Sequence, residues 1–301
     1  MARVAALFKG PSTVRGMGFM ALSALFNACS AVLIRHTGES LHPFQVAFLA
    51  NFFALVILLP IVAGRRFAAL KSGNHRLQLF RGAITFVAML AWYLGLTLMP
   101  LAQATALNFS GPLFAAVLAI VILGERIRAP RIAALVIGYL GTLVVLRPGI
   151  VEVGLGPLLI LTASAVYGMI IVMLRVLART DSSLTSVVYT YLCVTPFTFL
   201  VALPLWQWPS ATALFWIACL ALATMLHFWT LAQAFAEAEP TAAVPFDFTR
   251  LLWAAGFAYL MWGEIPDLWT WVGGVMIFGA AFFIMLRERR ARAERAEAVE
   301  S

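Results

Sequence analysis

Charge is what this chain most lacks. Only 11% of its 301 residues are Asp, Glu, Lys or Arg, where a soluble domain carries about a quarter. With 63% apolar residues and a mean hydropathy of +0.95, a water-soluble fold of this size has nowhere to hide its apolar surface, whereas a bilayer removes the need. Cysteine is nearly absent. Cys29, Cys193 and Cys219 lie in apolar runs with no CxxC or zinc spacing, which excludes a disulfide framework and a structural metal site and leaves packing. Histidine is equally sparse: His36, His42 and His75 sit in or beside loops, sharing no spacing with a carboxylate pair at depth. An intramembrane enzyme therefore has no clustered ligands or nucleophile–base pair to build on. No GxxxxGKS phosphate loop occurs, and the connections are too short for a nucleotide-binding domain, so ATP hydrolysis is not the driver. No cleavable leader is expected, since the first long apolar run follows Lys9 and Arg15 without a small-residue cleavage site and should remain as a span.

What the chain has instead is a series of long apolar runs. Each crossing needs roughly 20 apolar residues. The pattern predicts ten, at about 16–34, 44–62, 79–98, 102–123, 130–147, 155–175, 184–205, 212–234, 240–262 and 268–286. Residues 1–15 form a short cytoplasmic N-terminus, and "RERRARAERAEAVES" a charged cytoplasmic tail, 287–301, helical at first and then frayed. The positive-inside rule tests the count independently. With the N-terminus inside, all but three of the 21 basic residues fall on the inner side; Arg35 and Arg147 lie outside, and Arg250 belongs to no loop. Such segregation in short clusters explains the net charge of +8 better than a nucleic-acid-binding face does. Trp206 and Trp208 in one outer loop, and Trp262, Trp269 and Trp271 around another, fit an interfacial belt, with plain packing as the alternative.

An internal repeat organises these spans. "NFSGPLFAAVLAIVILGERI" from Asn108 matches "DFTRLLWAAGFAYLMWGEIP" from Asp247: Phe109 meets Phe248, Leu113 meets Leu252, and Gly124–Glu125 meets Gly263–Glu264. These are the fourth and ninth spans, so the unit is five helices. A tandem duplication of an odd unit inserts its second copy upside down. The expected fold class is an all-α integral membrane protein of two inverted five-helix repeats, 16–147 and 148–286, with both termini cytoplasmic.

With "LAQATALNFSGPLFAAVLAIVILGERI" and "AEAEPTAAVPFDFTRLLWAAGFAYLMWGEIPDLWTW", each closing a span in Gly-Glu, the chain resembles the drug/metabolite transporter superfamily, in particular its ten-helix bacterial members with two EamA-type halves. That resemblance implies a central cavity lined by spans one to four and six to nine, an inner N-terminus, and a place in the bacterial inner membrane. Relatives of this kind handle amino acids and their derivatives, riboflavin, S-adenosylmethionine and amine drugs.

Ionisable residues inside a span cost roughly 2.5–3.5 kcal/mol each, so they face the bundle interior or a water-filled path. Asp247 and Arg250, three residues apart on one helix face, stand out as such a pair at depth. They read either as an internal salt bridge or as a substrate site, Asp247 meeting an ammonium and Arg250 gripping a carboxylate through two parallel hydrogen bonds. The equivalent Asn108 lies four residues before Pro112, whose ring frees the Asn108 carbonyl; Thr105 lies one turn earlier on the same face, and Pro245 just precedes Asp247. Both prolines are hinge or kink candidates. Trp92, Tyr93, Trp229 and Gln233, at comparable places in spans three and eight, suit stacking on and bonding to a planar substrate, packing being the alternative. Asn27 with Ser30 in span one, and Tyr167 in span six, are further lining candidates. His227, within span eight, is with Asp247 a candidate for proton coupling, and Glu125 and Glu264 are gating candidates at opposite membrane faces. Ala134, Gly138 and Gly141 make a small-residue face on span five, read as packing within the chain.

The expected function is a secondary carrier moving a small amino-acid-like or zwitterionic metabolite by alternating access, with export the favoured direction. Uptake of a vitamin or nucleoside-type metabolite, of the riboflavin or S-adenosylmethionine class, is the alternative; a channel or membrane enzyme is remote. The implied partners are the substrate, the lipid bilayer and protons as a coupling ion, with no cofactor, metal or nucleic acid, in a monomer or weak homodimer. Asp247→Asn and Arg250→Ala are each expected to abolish transport while leaving membrane insertion intact; wild-type flux in vesicles carrying either variant removes the pair from the site.

Overall fold

The computed structural model describes residues 13–64, 71–123, 129–147, 154–177, 180–238 and 243–300. Among these the chain is helical throughout, without strands: α1 Thr13–Gly38, α2 Pro43–Gly64, α3 His75–Thr97, α4 Leu101–Asn108, α5 Gly111–Leu123, α6 Ala129–Leu146, α7 Leu155–Leu177, α8 Ser183–Ala202, α9 Ala211–Glu237, α10 Thr249–Trp262 and α11 Leu268–Glu300. Short 3-10 turns occupy Leu203–Leu205 and Val244–Phe248. Eight helical segments among the described residues are long and apolar enough to cross a membrane; Ile132–Leu146 is a shorter apolar helix. Span nine is split between a 3-10 turn and α10. α11 runs unbroken to Glu300, so the tail continues the last helix where the sequence suggested fraying.

Local chemistry sets the ends. Asn74, Ser182 and Ser210 each accept a backbone N–H of the first helical turn that follows, from Leu77, Thr185 and Ala213, satisfying donors that a helix start leaves open. Gly263, at φ 67°, closes α10 in the left-handed conformation that glycine adopts without strain. Between the ends, threonine and serine hydroxyls turn back on their own helix, as Thr142 does to Gly138 and Thr198 to Val194, which lets polar side chains lie in a dry interior.

The helices pack in a recurring pattern. α1 lies along α9 and α3 along α7; α10 packs on α1 and α5 on α7; α2 meets α8, α4 meets α10, and α6 meets α11. The main core runs through the faces of α1, α2, α4, α9 and α10 and reaches α6 and α11. α6 and α11 approach very closely. A Cβ at Gly273 would lie 2.4 Å from Val145 Cγ2 and 2.6 Å from the Gly141 carbonyl oxygen, and one at Gly138 would meet Leu113 and Ala280. The small-residue face of span five is thus spent on a neighbour in the same chain.

Two ties hold loops to helix ends. On one side Asp181 accepts from the Gly73 N–H (2.7 Å), Ser72 Oγ (2.5 Å) and Gln78 Nε2 (2.7 Å). On the other, Gln45 Nε2 donates to the Gln207 carbonyl (2.5 Å) while Gln45 Oε1 accepts the Gln207 N–H (3.1 Å). Burial works against ionising Asp181, but the bonds from Ser72, Gln78, Gly73 and Thr180 outweigh it and hold its carboxyl below the ordinary value.

Two predictions arise here. Gly273→Ala forces α6 and α11 apart and should cost on the order of 1–3 kcal/mol, seen as a lower melting temperature in detergent; an unchanged midpoint removes the need for the close approach. A depressed carboxyl contributes stability above its unfolded-state pKa and loses it as pH falls through the folded-state value. Acidification through that window should therefore lower the melting temperature of the wild type more than that of Asp181→Asn, and parallel losses would discount the tie.

Candidate functional site

Among the described residues span nine opens with a 3-10 turn, Val244–Phe248, and Pro245 stands at its start, where a missing N–H leaves no bond unmade. Asp247 lies in that turn, and Arg250 in the first turn of α10. Span four breaks at the matching place: α4 stops at Asn108, Phe109 and Ser110 form a turn, and α5 restarts at Gly111 with Pro112 second. The two interruptions face each other. The Phe109 and Phe248 rings stack with centroids 5.5 Å apart, and Phe278 of α11 closes against both.

Arg250 is the hub. Its Nη2 lies 3.7 Å from Asp247 Oδ2, a loose pair in which the two side chains keep 13% and 28% of their exposure. Its Cζ sits 4.5 Å from the centre of the Phe109 ring, where the electron-rich face attracts a cation. Its Nη1 donates to Asn27 Oδ1 of α1 at 3.5 Å, and its buried Nε has no hydrogen-bond partner among the described residues. Tyr167 of α7, half exposed, lies within electrostatic reach of both Arg250 and Asp247. Beyond Asn27 the chain of contacts continues into α9. Asn27 Nδ2 is 3.3 Å from His227 Nε2, and His227 Nδ1 is 3.0 Å from the Ser23 carbonyl oxygen and 2.9 Å from Ser23 Oγ.

The structure therefore brings Asp247, Arg250, Asn27, His227 and Tyr167 together. Asn108 is adjacent through Phe109, its Nδ2 reaching Ser164 Oγ of α7 at 3.5 Å. Thr105 is buried and its hydroxyl is turned onto the Leu101 carbonyl of its own helix. Ser30 likewise bonds the Phe26 carbonyl and receives Thr224. Tyr93 is buried, Trp92 packs against the main core, and Trp229 lies half exposed with its ring edge-on to Phe19. Gln233, also on α9, is partly buried. None of these four side chains bonds to the Arg250 cluster among the described residues.

Glu264 anchors a second cluster. It accepts Arg35 Nη2 at 2.5 Å and the Leu101 N–H at 3.3 Å, so one carboxylate joins α1 to the start of α4. The Arg35 guanidinium lies over Trp262, whose Nε1 donates to Glu39. Glu125, its counterpart in the repeat, falls outside the described residues.

Three participants escaped the sequence reading. Phe109 was visible only as a repeat match, because an aromatic in an apolar run gives no sign of facing a cation. Ser23 looked like any small polar residue of a span. Arg81, counted among inner-loop residues, is in fact almost fully buried within α3, so the Asp247–Arg250 couple does not contain all the buried charge. Its guanidinium donates to Gln78 Oε1, Thr190 Oγ1 and the Ser186 carbonyl, and Gln78 passes the contact on to Asp181. The signal was helix length: α3 starts at His75, nearly two turns before Arg81.

Comparison with known proteins now adds identity to geometry. The model of the EamA-like transporter family matches residues 14–147 and again 154–286. A curated relative from Rickettsia felis, named an S-adenosylmethionine uptake transporter, is 30% identical over 94% of this chain and 96% of its own. One from Vibrio cholerae, named a riboflavin transporter, is 29% identical over 83% and 85%. A solved crystal structure with 16% identity covers 91% of this chain and 98% of its own at a TM-score of 0.62, a likeness of fold alone. Two family matches that together span nearly the whole chain, on a bundle of apolar helices, make this a multi-pass transporter of the inner membrane rather than an enzyme, and the chain belongs to the EamA-like transporter family within the drug/metabolite transporter superfamily.

Proposed function

We propose that this protein is an uptake carrier for a nucleoside-type metabolite that bears an amino-acid end, the class of S-adenosylmethionine, and that Arg250 and Asp247 hold that end. The observation that carries the reading is the looseness of the pair. A structural salt bridge closes to about 2.7–2.9 Å, as Arg35 does on Glu264, whereas here the groups stand 3.7 Å apart. A substrate carboxylate can take the open donors, its ammonium can meet Asp247, and Tyr167 and Phe109 offer rings beside them. The charged couple suits S-adenosylmethionine better than riboflavin, which has no amino-acid end. The name of the Rickettsia felis relative, an uptake transporter, favours uptake over the export direction expected from sequence.

The motion we infer is alternating access between two inverted halves, within ten spans and with both termini inside. Several observations support it. The matched residues Phe109 and Phe248 touch, as equivalent residues beside a two-fold axis must. Exchanging the halves turns the α1–α9 contact into the α7–α3 contact and carries α2–α8 and α6–α11 onto themselves. The Asp181 and Gln45 ties exchange in the same way. In this scheme Glu264, binding Arg35 and the α4 N-terminus, is an outer latch.

The test is a melting experiment on purified full-length protein with S-adenosylmethionine, riboflavin and unrelated metabolites. S-adenosylmethionine should raise the wild-type melting temperature, and Arg250→Ala should weaken its binding at least tenfold, as loss of charge-assisted hydrogen bonds worth about 1.5–3 kcal/mol requires. No shift in the wild type, or an equal shift in Arg250→Ala, defeats the assignment. For the latch, Glu264→Gln should speed labelling of Asn27→Cys by an impermeant thiol reagent from outside, in a background lacking the native cysteines. An unchanged rate would leave Glu264 as a helix cap only.

A further inference from the structure

Hydrogen-bond polarity in the Ser23–His227–Asn27–Arg250 chain is fixed from both ends. At one end the Ser23 carbonyl can only accept, so His227 Nδ1, 3.0 Å away, carries a proton. Ser23 Oγ agrees, since it donates its own hydrogen to the His227 carbonyl at 3.2 Å and is left to accept from Nδ1. At the other end the Arg250 guanidinium can only donate, so the Asn27 atom facing it is Oδ1. The Asn27 amide nitrogen must then face His227, and Nε2 accepts from it as the bare nitrogen of a neutral ring. Every polarity is used once, and the two ends require the same arrangement.

A second proton on His227 breaks that arrangement. Nε2–H would confront the Asn27 NH2 group, donor against donor. Turning the amide over restores a bond to the ring but presents NH2 to Arg250, again donor against donor. A second proton on His227 and the Arg250–Asn27 bond therefore oppose one another. Arg250 has only a 3.5 Å bond to lose, and elsewhere it is held by the loose Asp247 pair and the Phe109 face.

From this we infer that the proton is a second ligand of the site, taken up by His227 when Arg250 leaves Asn27 for a substrate carboxylate, with the Asn27 amide as the switch between them. The inference rests on the substrate reading above for the carboxylate, but the switch itself belongs to the empty site. The proton comes from bulk water, and only an N–H bond forms. Coupling is reciprocal: whatever a proton does for substrate affinity, substrate does for proton affinity. The charges on the far side of Asn27 are Asp247, an anion that attracts an added proton, and Arg250, a cation that repels one until a carboxylate neutralises it. On α1, Arg15 is taken by Glu237 at the far end of α9 and Arg35 by Glu264. α2, the other helix packed on α9, has no ionisable residue between 43 and 64. Asn27 is thus a positioning residue.

The experiment is nitrogen NMR of the histidine-labelled full-length protein in detergent, with the His227 signals assigned by their loss in His227→Gln. The unliganded wild type should show the neutral ring with its proton on Nδ1; a proton on Nε2 overturns the inference without any other variant. Arg250→Gln should raise the proton affinity of His227 about tenfold, roughly one pH unit. In an Asn27→Leu background the same substitution should produce less than half that shift, because only the through-space charge remains. Equal shifts in the two backgrounds would overturn the switch. With S-adenosylmethionine as probe, wild-type affinity should strengthen about tenfold over the pH range in which His227 gains its proton, and Asn27→Leu should lose that slope. A wild-type slope retained in Asn27→Leu counts against the switch. Failure of S-adenosylmethionine to bind at any pH would fall on the substrate assignment, and the NMR cycle would still decide the switch.

Discussion

A guanidinium inside a bilayer must be compensated by something other than water, and the arrangement of the central spans follows from how Arg250 meets that demand. One carboxylate at close range would neutralise it and leave nothing for a ligand. The protein divides the work among a distant carboxylate, an amide oxygen and an aromatic face. Each is weak, and each can be given up at modest cost. The supply of three weak partners requires that α1, the Phe109 turn and span nine converge on one point. The helix interruptions at Ser110 and Phe248 bring them there, by letting backbone leave the regular spiral where protein rather than lipid surrounds it.

The rest of the charge is handled differently, and the contrast is informative. Arg81 is nearly as well buried as any apolar residue, yet its donors are filled by Gln78, Thr190 and the Ser186 carbonyl. Arg35 is closed against Glu264, and Arg147 against Asp267. Each of those cations has at least one close hydrogen-bond acceptor. Arg250, at the meeting point of the spans, has instead a 3.5 Å hydrogen bond and a 3.7 Å ion pair.

Much of this architecture was legible before any coordinates. Apolar run length announced the long membrane-crossing helices, of which eight stand among the described residues, and Pro112 and Pro245 pointed to the two breaks. Asp247 and Arg250 stood out because charge in lipid is rare. What stayed hidden depends on rotation about helix axes, which composition does not record. Thr105 and Asn27 both look like cavity-lining polar residues. The first turns onto its own backbone, and the second bridges two side chains of other helices. Arg81 was misplaced because hydropathy marks where a run becomes apolar, and α3 begins earlier, at the Asn74 cap.

The close seam between α6 and α11 has one more consequence. The apolar stretch of α6, Ile132–Leu146, is about 22 Å long at 1.5 Å per residue, against a hydrocarbon thickness of about 30 Å. The whole helix, Ala129–Leu146, has 18 residues, and its glycine contacts bind it to a much longer neighbour. Held against α11 in this way, α6 cannot tilt on its own, so any mismatch with the bilayer is met by the two helices together. A change in lipid thickness therefore acts on this seam as one rigid strut and not on either helix alone.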